Sequence, residues 1–102
     1  MASSKKIALV GTGVIAHVHA EAISKLPGIE VSAVIDLRES AARSFAAQWG
    51  VANVFTDMDS AIESGTFERA HVLVPPDYHS DVTAQLLKHD IPVFVEKPVA
   101  VS

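Results

Sequence analysis

The 102-residue chain contains no cysteine, one tryptophan and one tyrosine, and eight lysines and arginines against twelve acidic residues. The lack of cysteine excludes disulfides, thiolate catalysis and cysteine-ligated zinc. The basic residues are scattered and the net charge is −4, so nothing in the sequence indicates nucleic-acid binding. No apolar run has the length of a membrane span, and the N-terminus has no signal-peptide apolar region. We therefore expect a soluble cytoplasmic protein with no membrane partner.

Apolar segments of strand length alternate with segments of helical periodicity along the whole chain. The predicted strands cover 5–10, 30–35, 51–55, 70–74 and 91–95, and the predicted helices cover 14–26, 39–49, 57–64 and about 80–89. Strands that are apolar throughout are typical of a parallel sheet covered on both faces. With right-handed crossovers, the pattern predicts one α/β domain over 1–102. It is a doubly wound parallel sheet in the order 3-2-1-4-5, with a ligand crevice outside the carboxyl ends of strands 1 and 4.

The first predicted strand leads directly into a glycine-rich turn, Gly11-Thr12-Gly13-Val14-Ile15-Ala16. In this G-x-G-x-x-A pattern, Gly11 permits the tight turn, Gly13 lets backbone N–H groups approach a pyrophosphate, and Ala16 lets the next helix pack closely. The N-terminus of that helix adds unsatisfied N–H groups and a partial positive charge. We predict that a dinucleotide binds here, and the predicted contacts are Gly11, Thr12, Gly13, Val14 and Ile15.

An acidic residue follows the second predicted strand, where a dinucleotide site would need one. Asp36 lies about 20 residues after the glycine turn, and its carboxylate would accept the hydroxyls of the adenosine ribose and repel a 2′-phosphate. This favours NAD as the cofactor. Arg38 would instead pair with a 2′-phosphate, which leaves NADP open, and Leu37 is predicted to contact the cofactor between them. The alternative for Asp36 is an ordinary helix cap or turn residue.

Histidines are distributed along the chain without the spacing of metal ligands, and no metal site is predicted. His17 and His19 fall two positions apart on the first predicted helix, so they do not share a face. His71 falls inside the fourth predicted strand as a core or edge residue. Trp49, at the end of the second predicted helix, is expected to pack against the core rather than stack on a base.

Two further segments make a family recognisable. Val74-Pro75-Pro76-Asp77-Tyr78-His79 follows the fourth predicted strand, and Glu96-Lys97-Pro98 follows the fifth. With the glycine turn, His19 and the acid after the second strand, in this order and spacing, they resemble the nucleotide-binding half of the Gfo/Idh/MocA oxidoreductases over the whole chain. The first segment is similar to the family's T-P-N-x-x-H stretch, with Val74 where the family often has Thr and Pro76 where it often has Asn. The second matches the family's E-K-P triplet.

The resemblance implies an NAD(P)-dependent oxidoreductase that transfers a hydride between the nicotinamide and a CH–OH group of a sugar, polyol or sugar derivative. It implies that Lys97 is the catalytic residue, whose ammonium would stabilise the alkoxide charge that develops on the substrate. Glu96 would orient Lys97 or contact the nicotinamide ribose. The remaining predicted cofactor contacts are Val74, Pro75, Pro76, His79, Glu96 and Lys97. Without the resemblance, Glu96-Lys97-Pro98 is equally well a solvated loop at the end of a strand.

Members of that family also carry a substrate-binding domain and a last strand of the nucleotide fold, and we expect a chain truncated before both. Such a chain would bind nucleotide, turn over little substrate, and self-associate through its fifth strand or its uncovered sheet face. One alternative is a non-catalytic dinucleotide-binding or redox-sensing module. Another is a methyltransferase-like adenosine binder, which the turn at 75–77 and Glu96-Lys97-Pro98 disfavour.

Overall fold

The computed structural model describes residues 5–74 and 76–95. Strands and helices alternate along these residues. The elements are β1 Lys5–Val10, α1 Val14–Ser24, β2 Ile29–Ile35, α2 Glu39–Trp49, β3 Asn53–Phe55, α3 Met58–Ser64, β4 Arg69–Val72, α4 Pro76–Lys88 and β5 Val93–Val95. No helix among them is long and apolar enough to cross a bilayer.

The strands of the described part form one parallel sheet in the order β3-β2-β1-β4-β5, which confirms the predicted α/β fold. Val10 at the end of β1 pairs with Ile35 at the end of β2 and with Val72 at the end of β4. Because the carboxyl ends of these strands are in register, the turns that follow them leave from the same edge of the sheet. The chain adds β2 and β3 on one side of β1 and then returns to add β4 and β5 on the other side, so the strand order reverses between β1 and β4. A ligand crevice forms at this switch point in such folds.

Side chains alternate between the two faces of the sheet and bury two apolar clusters. Ile7 and Leu9 of β1 point to the face covered by α1 and α2, where Phe45 is the largest fully buried side chain. Ala8 and Val10 point to the face covered by α3 and α4, where Leu86 is fully buried. The near-continuous apolar strands of the sequence are thus explained by a sheet that is covered on both faces.

Aromatic and imidazole contacts join α1 to elements on either side of it. The Trp49 indole N–H donates to Nδ1 of His17 at 2.8 Å, and both rings pack beside Phe45. Trp49 packs against the apolar cluster under α1 and α2, as predicted. The Nδ1 atoms of His19 and His71 lie 2.9 Å apart, so one imidazole donates and the other accepts. These contacts hold α1 against α2 and β4.

Several element boundaries differ from the predicted ones. α4 begins at Pro76 rather than near Ser80, because proline has a helical φ and has no N–H to lose in the first turn. β4 ends at Val72 rather than Val74, and α1 ends at Ser24 rather than Leu26. The N–H groups of residues 25 and 26 donate to carbonyls three residues back, which tightens the last turn of α1.

Candidate functional site

A cleft of about 780 Å³ opens at the carboxyl edge of the sheet. Its walls are residues 10–13 after β1, 35–38 after β2, 56–58 after β3 and 73–74 after β4, together with Val82 and Gln85 of α4. This volume is in the usual range for small-molecule sites, about 300–1,000 Å³. The cleft lies outside the ends of β1 and β4, where the sequence predicted it.

Gly11 holds the turn between β1 and α1 in a conformation that other residues rarely adopt. Its φ is +105°, and a Cβ added there would lie 3.1 Å from the Leu73 carbonyl oxygen and 3.3 Å from Cγ1 of Val74. Its N–H donates to the Ile35 carbonyl at 2.7 Å. Two features therefore favour glycine at this position: the positive φ angle, and the close approach of the turn after β4.

Gly13 differs from Gly11, because no contact within the described residues requires a glycine there. Its φ of −75° and ψ of −169° are extended backbone, and an added Cβ would have no described atom within 4 Å apart from its chain neighbours. Gly13 is the N-cap of α1, and no described side chain caps this helix. The missing side chain leaves open space above N–H groups that carry partial positive charge, so a pyrophosphate fits the site.

Asp36 is held between the turns that follow β1, β2 and β3. Its Oδ2 accepts from the Thr12 hydroxyl at 2.6 Å, and its Oδ1 accepts from the Arg38 backbone N–H at 2.9 Å. Its own N–H donates to the Phe55 carbonyl at 3.1 Å, and only 12% of its side chain is exposed. Because each carboxylate oxygen has a second lone pair, the group can still accept ribose hydroxyls.

The hydrogen bond from the Arg38 N–H also makes Asp36 a turn residue, which was the alternative to binding the ribose. A turn residue can still bind a ribose, so the two roles are compatible. Asp36 does not cap α2, because Arg38 is the N-cap of that helix. The Arg38 side chain is 76% exposed, with Nε 3.7 Å from Oδ1 of Asp36, and Leu37 is 78% exposed beside it. A carboxylate suited to a ribose hydroxyl and a guanidinium suited to a 2′-phosphate therefore share one rim of the cleft.

The other predicted contacts are placed less uniformly. Val74 lines the cleft, whereas Val14 and Ile15 lie in the first turn of α1, 80% and 43% exposed, outside the described lining. The backbone of Pro76 and His79 belongs to the start of α4, and their side chains are not among the described ones. Pro75, Glu96 and Lys97 lie outside the described residues.

The structure adds cleft residues that the sequence did not indicate. Thr56, Asp57 and Met58 follow the carboxyl end of β3, a position that would have pointed to them. Val82 and Gln85 had no local signal, because they enter the cleft through the packing of α4 beside α3. In the described part of the chain, no three His, Asp or Glu side chains converge as a metal site would require.

The sequence and fold are similar to those of known dehydrogenases. A family model described as an oxidoreductase family with an NAD-binding Rossmann fold, Gfo/Idh/MocA, matches residues 5–102. An inositol 2-dehydrogenase of Arthrobacter sp. strain FB24 is 32% identical over 102 residues, which cover 97% of this chain and 30% of that protein. A glucose-6-phosphate 3-dehydrogenase of Bacillus subtilis is 34% identical over 98 residues, covering 96% of this chain and 27% of the relative.

A solved structure shows the same arrangement. GenD2 from gentamicin A biosynthesis, crystallised in complex with NAD, superposes with a TM-score of 0.87 at 30% identity, covering all of this chain and 29% of GenD2. The chain thus spans about 30% of the length of the curated relative first described above. The glycine turn, the strand order and the family match agree: this chain belongs to the Gfo/Idh/MocA oxidoreductases, and it corresponds to their NAD-binding Rossmann domain.

Proposed function

We propose that this chain binds a nicotinamide dinucleotide in the cleft at the carboxyl edge of the sheet, and that it prefers NAD to NADP. It would form the cofactor half of an oxidoreductase that transfers a hydride between the nicotinamide and a CH–OH group of a sugar, polyol or sugar derivative. The observation that carries the proposal is the Asp36 carboxylate, fixed beside the glycine turn by bonds from Thr12 and Arg38.

Binding uses the two glycines and the acid in different ways. The turn at Gly11 aims the start of α1 at the cleft, and the open space at Gly13 admits the pyrophosphate to the N–H groups of that helix. Asp36 accepts the hydroxyls of the adenosine ribose. A 2′-phosphate in the same place would bring a second negative charge against this carboxylate, which is the reason for the NAD preference.

When bound, the nicotinamide ring supplies the acceptor for the hydride. In the direction of oxidation, the C–H bond of the substrate carbinol breaks and its electron pair leaves with the hydrogen. The O–H proton passes to a general base that the resemblance assigns to the family's substrate-binding domain, and the C–O bond becomes a carbonyl. Lys97 is the residue we assign to this step: the family resemblance of Glu96-Lys97-Pro98 supports a position beside the reacting hydroxyl, where its ammonium would stabilise the developing alkoxide. Glu96 would orient Lys97.

The substrate class rests on the relatives. An inositol 2-dehydrogenase and a glucose-6-phosphate 3-dehydrogenase both act, by their names, on a polyhydroxylated ring. The family match supports an oxidoreductase and lends no support to a non-catalytic module or a methyltransferase-like binder.

Titration of the purified chain with NAD(H) and NADP(H) by calorimetry tests the binding proposal. We expect saturable binding of NAD, and an Asp36→Ala variant should bind it about 10- to 100-fold more weakly, because hydrogen bonds to a charged group contribute roughly 1.5–3 kcal/mol. Asp36→Asn is a second variant, which removes the charge and keeps one side-chain oxygen to accept from the Arg38 N–H in the turn. It should chiefly reduce the preference for NAD. Glu30→Ala, which removes an exposed carboxylate of β2 far from its carboxyl end, is the control.

Each other outcome has a definite meaning. Tighter binding of NADP than of NAD would transfer specificity to Arg38 and overturn the NAD preference. A folded chain that binds neither dinucleotide would overturn the proposed function.

For the catalytic assignment, Lys97→Ala in a protein that joins this chain to a substrate domain should abolish turnover and leave NAD affinity nearly unchanged. Retained turnover would refute the role of Lys97.

A further inference from the structure

The cleft extends beyond the residues assigned to the pyrophosphate and the ribose. The Asp36 N–H donates a hydrogen bond to the Phe55 carbonyl, so the turn after β3 lies directly beside Asp36. A ribose bound at Asp36 would therefore lie next to this turn. That turn continues into Thr56 and Met58, which line the cleft together with Val82 and Gln85 of α4. Met58 and Val82 belong to one apolar cluster, so this wall offers a surface on which a flat heterocycle can pack.

Within this wall, the Gln85 amide has a defined orientation. Its Nε2 donates to Oδ1 of Asp59 at 3.1 Å. An ionised carboxylate only accepts hydrogen bonds, so the amide nitrogen and not the amide oxygen must face Asp59. Gln85 therefore presents its carbonyl oxygen and its second N–H as one acceptor and one donor for a ligand.

We propose that Gln85 recognises the adenine ring of the bound dinucleotide and that Asp59 is its positioning residue. The inference rests on the proposed function, because it assumes that the dinucleotide binds with its adenosine ribose at Asp36. The Gln85 carbonyl accepts from the exocyclic amine of adenine, and the free N–H donates to N1 beside it. Glutamine and asparagine amides recognise adenine in nucleic acids by a bidentate pair of the same kind, made with the amine and N7.

The same geometry rejects a base that carries a carbonyl in place of the amine. Hypoxanthine places an acceptor where adenine has its amine and an N–H where adenine has the N1 acceptor, so Gln85 could pair with this edge only after turning its amide over. The amide oxygen would then face the Asp59 carboxylate, and two acceptors would repel each other without a hydrogen between them. By fixing the orientation of the amide, Asp59 thus makes Gln85 selective for adenine over hypoxanthine.

Calorimetric titration with NAD and with nicotinamide hypoxanthine dinucleotide tests this inference. These probes differ only in the group that Gln85 is proposed to read. We expect the chain to bind NAD about 10-fold more tightly than the hypoxanthine analogue, since a bidentate amide–base pair discriminates by roughly 1–3 kcal/mol. Gln85→Leu should weaken NAD binding to the level of the analogue. Gln48→Leu, the same change at an exposed position of α2, should leave the ratio unaltered.

Asp59→Asn separates positioning from a general structural role. A neutral amide at position 59 can face either end of the Gln85 amide, so both orientations become populated. The analogue should then bind almost as tightly as NAD, and NAD affinity should fall by about twofold, because about half of the molecules hold the orientation that pairs with adenine. Weaker binding of both probes by the same factor would overturn the positioning role of Asp59.

The outcomes also distinguish this inference from the proposed function. NAD binding that depends on Asp36 but does not discriminate against the analogue would overturn the role of Gln85 and leave the proposed function standing. Failure of the folded chain to bind either probe would overturn both.

Discussion

Two helices begin at the same cleft, and their first turns are built in opposite ways. α1 begins at Gly13, has no described side-chain cap and has no acidic residue in its first turn. α3 begins at Asp57, whose carboxylate accepts from the Ser60 backbone N–H at 2.7 Å, and Asp59 adds a second carboxylate to that turn. Gly13 and Asp57 both line the cleft.

The difference divides the cleft by charge. The partial positive charge at the N-terminus of α3 is neutralised by the chain's own carboxylates, whereas that of α1 is available to an anion. A pyrophosphate is therefore favoured at α1, and a neutral base is favoured on the side of α3. Two α-helices at one edge of the sheet thus favour different parts of a dinucleotide, the pyrophosphate at α1 and the base at α3. The difference depends on the N-cap residues, Gly13 and Asp57.

Substitutions in these turns should change the free energy of unfolding by different amounts. The largest is expected for Gly11→Ala, at the turn that leads into α1. The Ala side chain would meet the Leu73 carbonyl at 3.1 Å with φ at +105°, so we expect a loss of about 2–3 kcal/mol. Urea unfolding measures it. An unchanged midpoint would mean that the turn relaxes and that Gly11 is not required by the fold.

Asp57→Ala should have an intermediate effect, because it removes the cap of α3. Loss of an N-cap acceptor costs about 1 kcal/mol, which urea unfolding can resolve. Glu63→Ala, at an exposed position of the same helix, is the matched control and should change stability by less than about 0.5 kcal/mol. Equal effects of the two substitutions would show that the cap does not stabilise α3.

Gly13→Ser should have the smallest effect on stability and would give α1 the kind of cap that α3 has. The serine hydroxyl would accept from an N–H of the first turn, which should raise stability by a few tenths of a kcal/mol. The same hydroxyl would occupy the space and the donor proposed for the pyrophosphate, so NAD affinity should fall about 10-fold, as calorimetry can measure. A variant that gains stability and binds NAD as tightly as before would contradict the division of the cleft by charge.

Much of the fold could be predicted from the sequence, because the signals are local. Apolar strands that alternate with helical periodicity, together with the handedness of crossovers, determine the strand order that the structure confirms. The sequence predicts the start of α4 about four residues late, because two consecutive prolines are typical of a turn although proline is also favoured in the first turn of a helix. The helical pattern alone does not show which side of α4 faces the cleft, where Val82 and Gln85 lie.

By itself, the sequence determined the class of fold, the position of the cleft and the family, because glycine spacing and hydrophobic period act over a few residues. Only the tertiary structure decided how the turns meet. The bond between Thr12 and Asp36 joins residues 24 positions apart, and that between Gln85 and Asp59 joins residues 26 apart. Neither partner carries a local signal for the other, since such contacts arise when parallel strands bring their carboxyl ends to one edge and the helices pack beneath them.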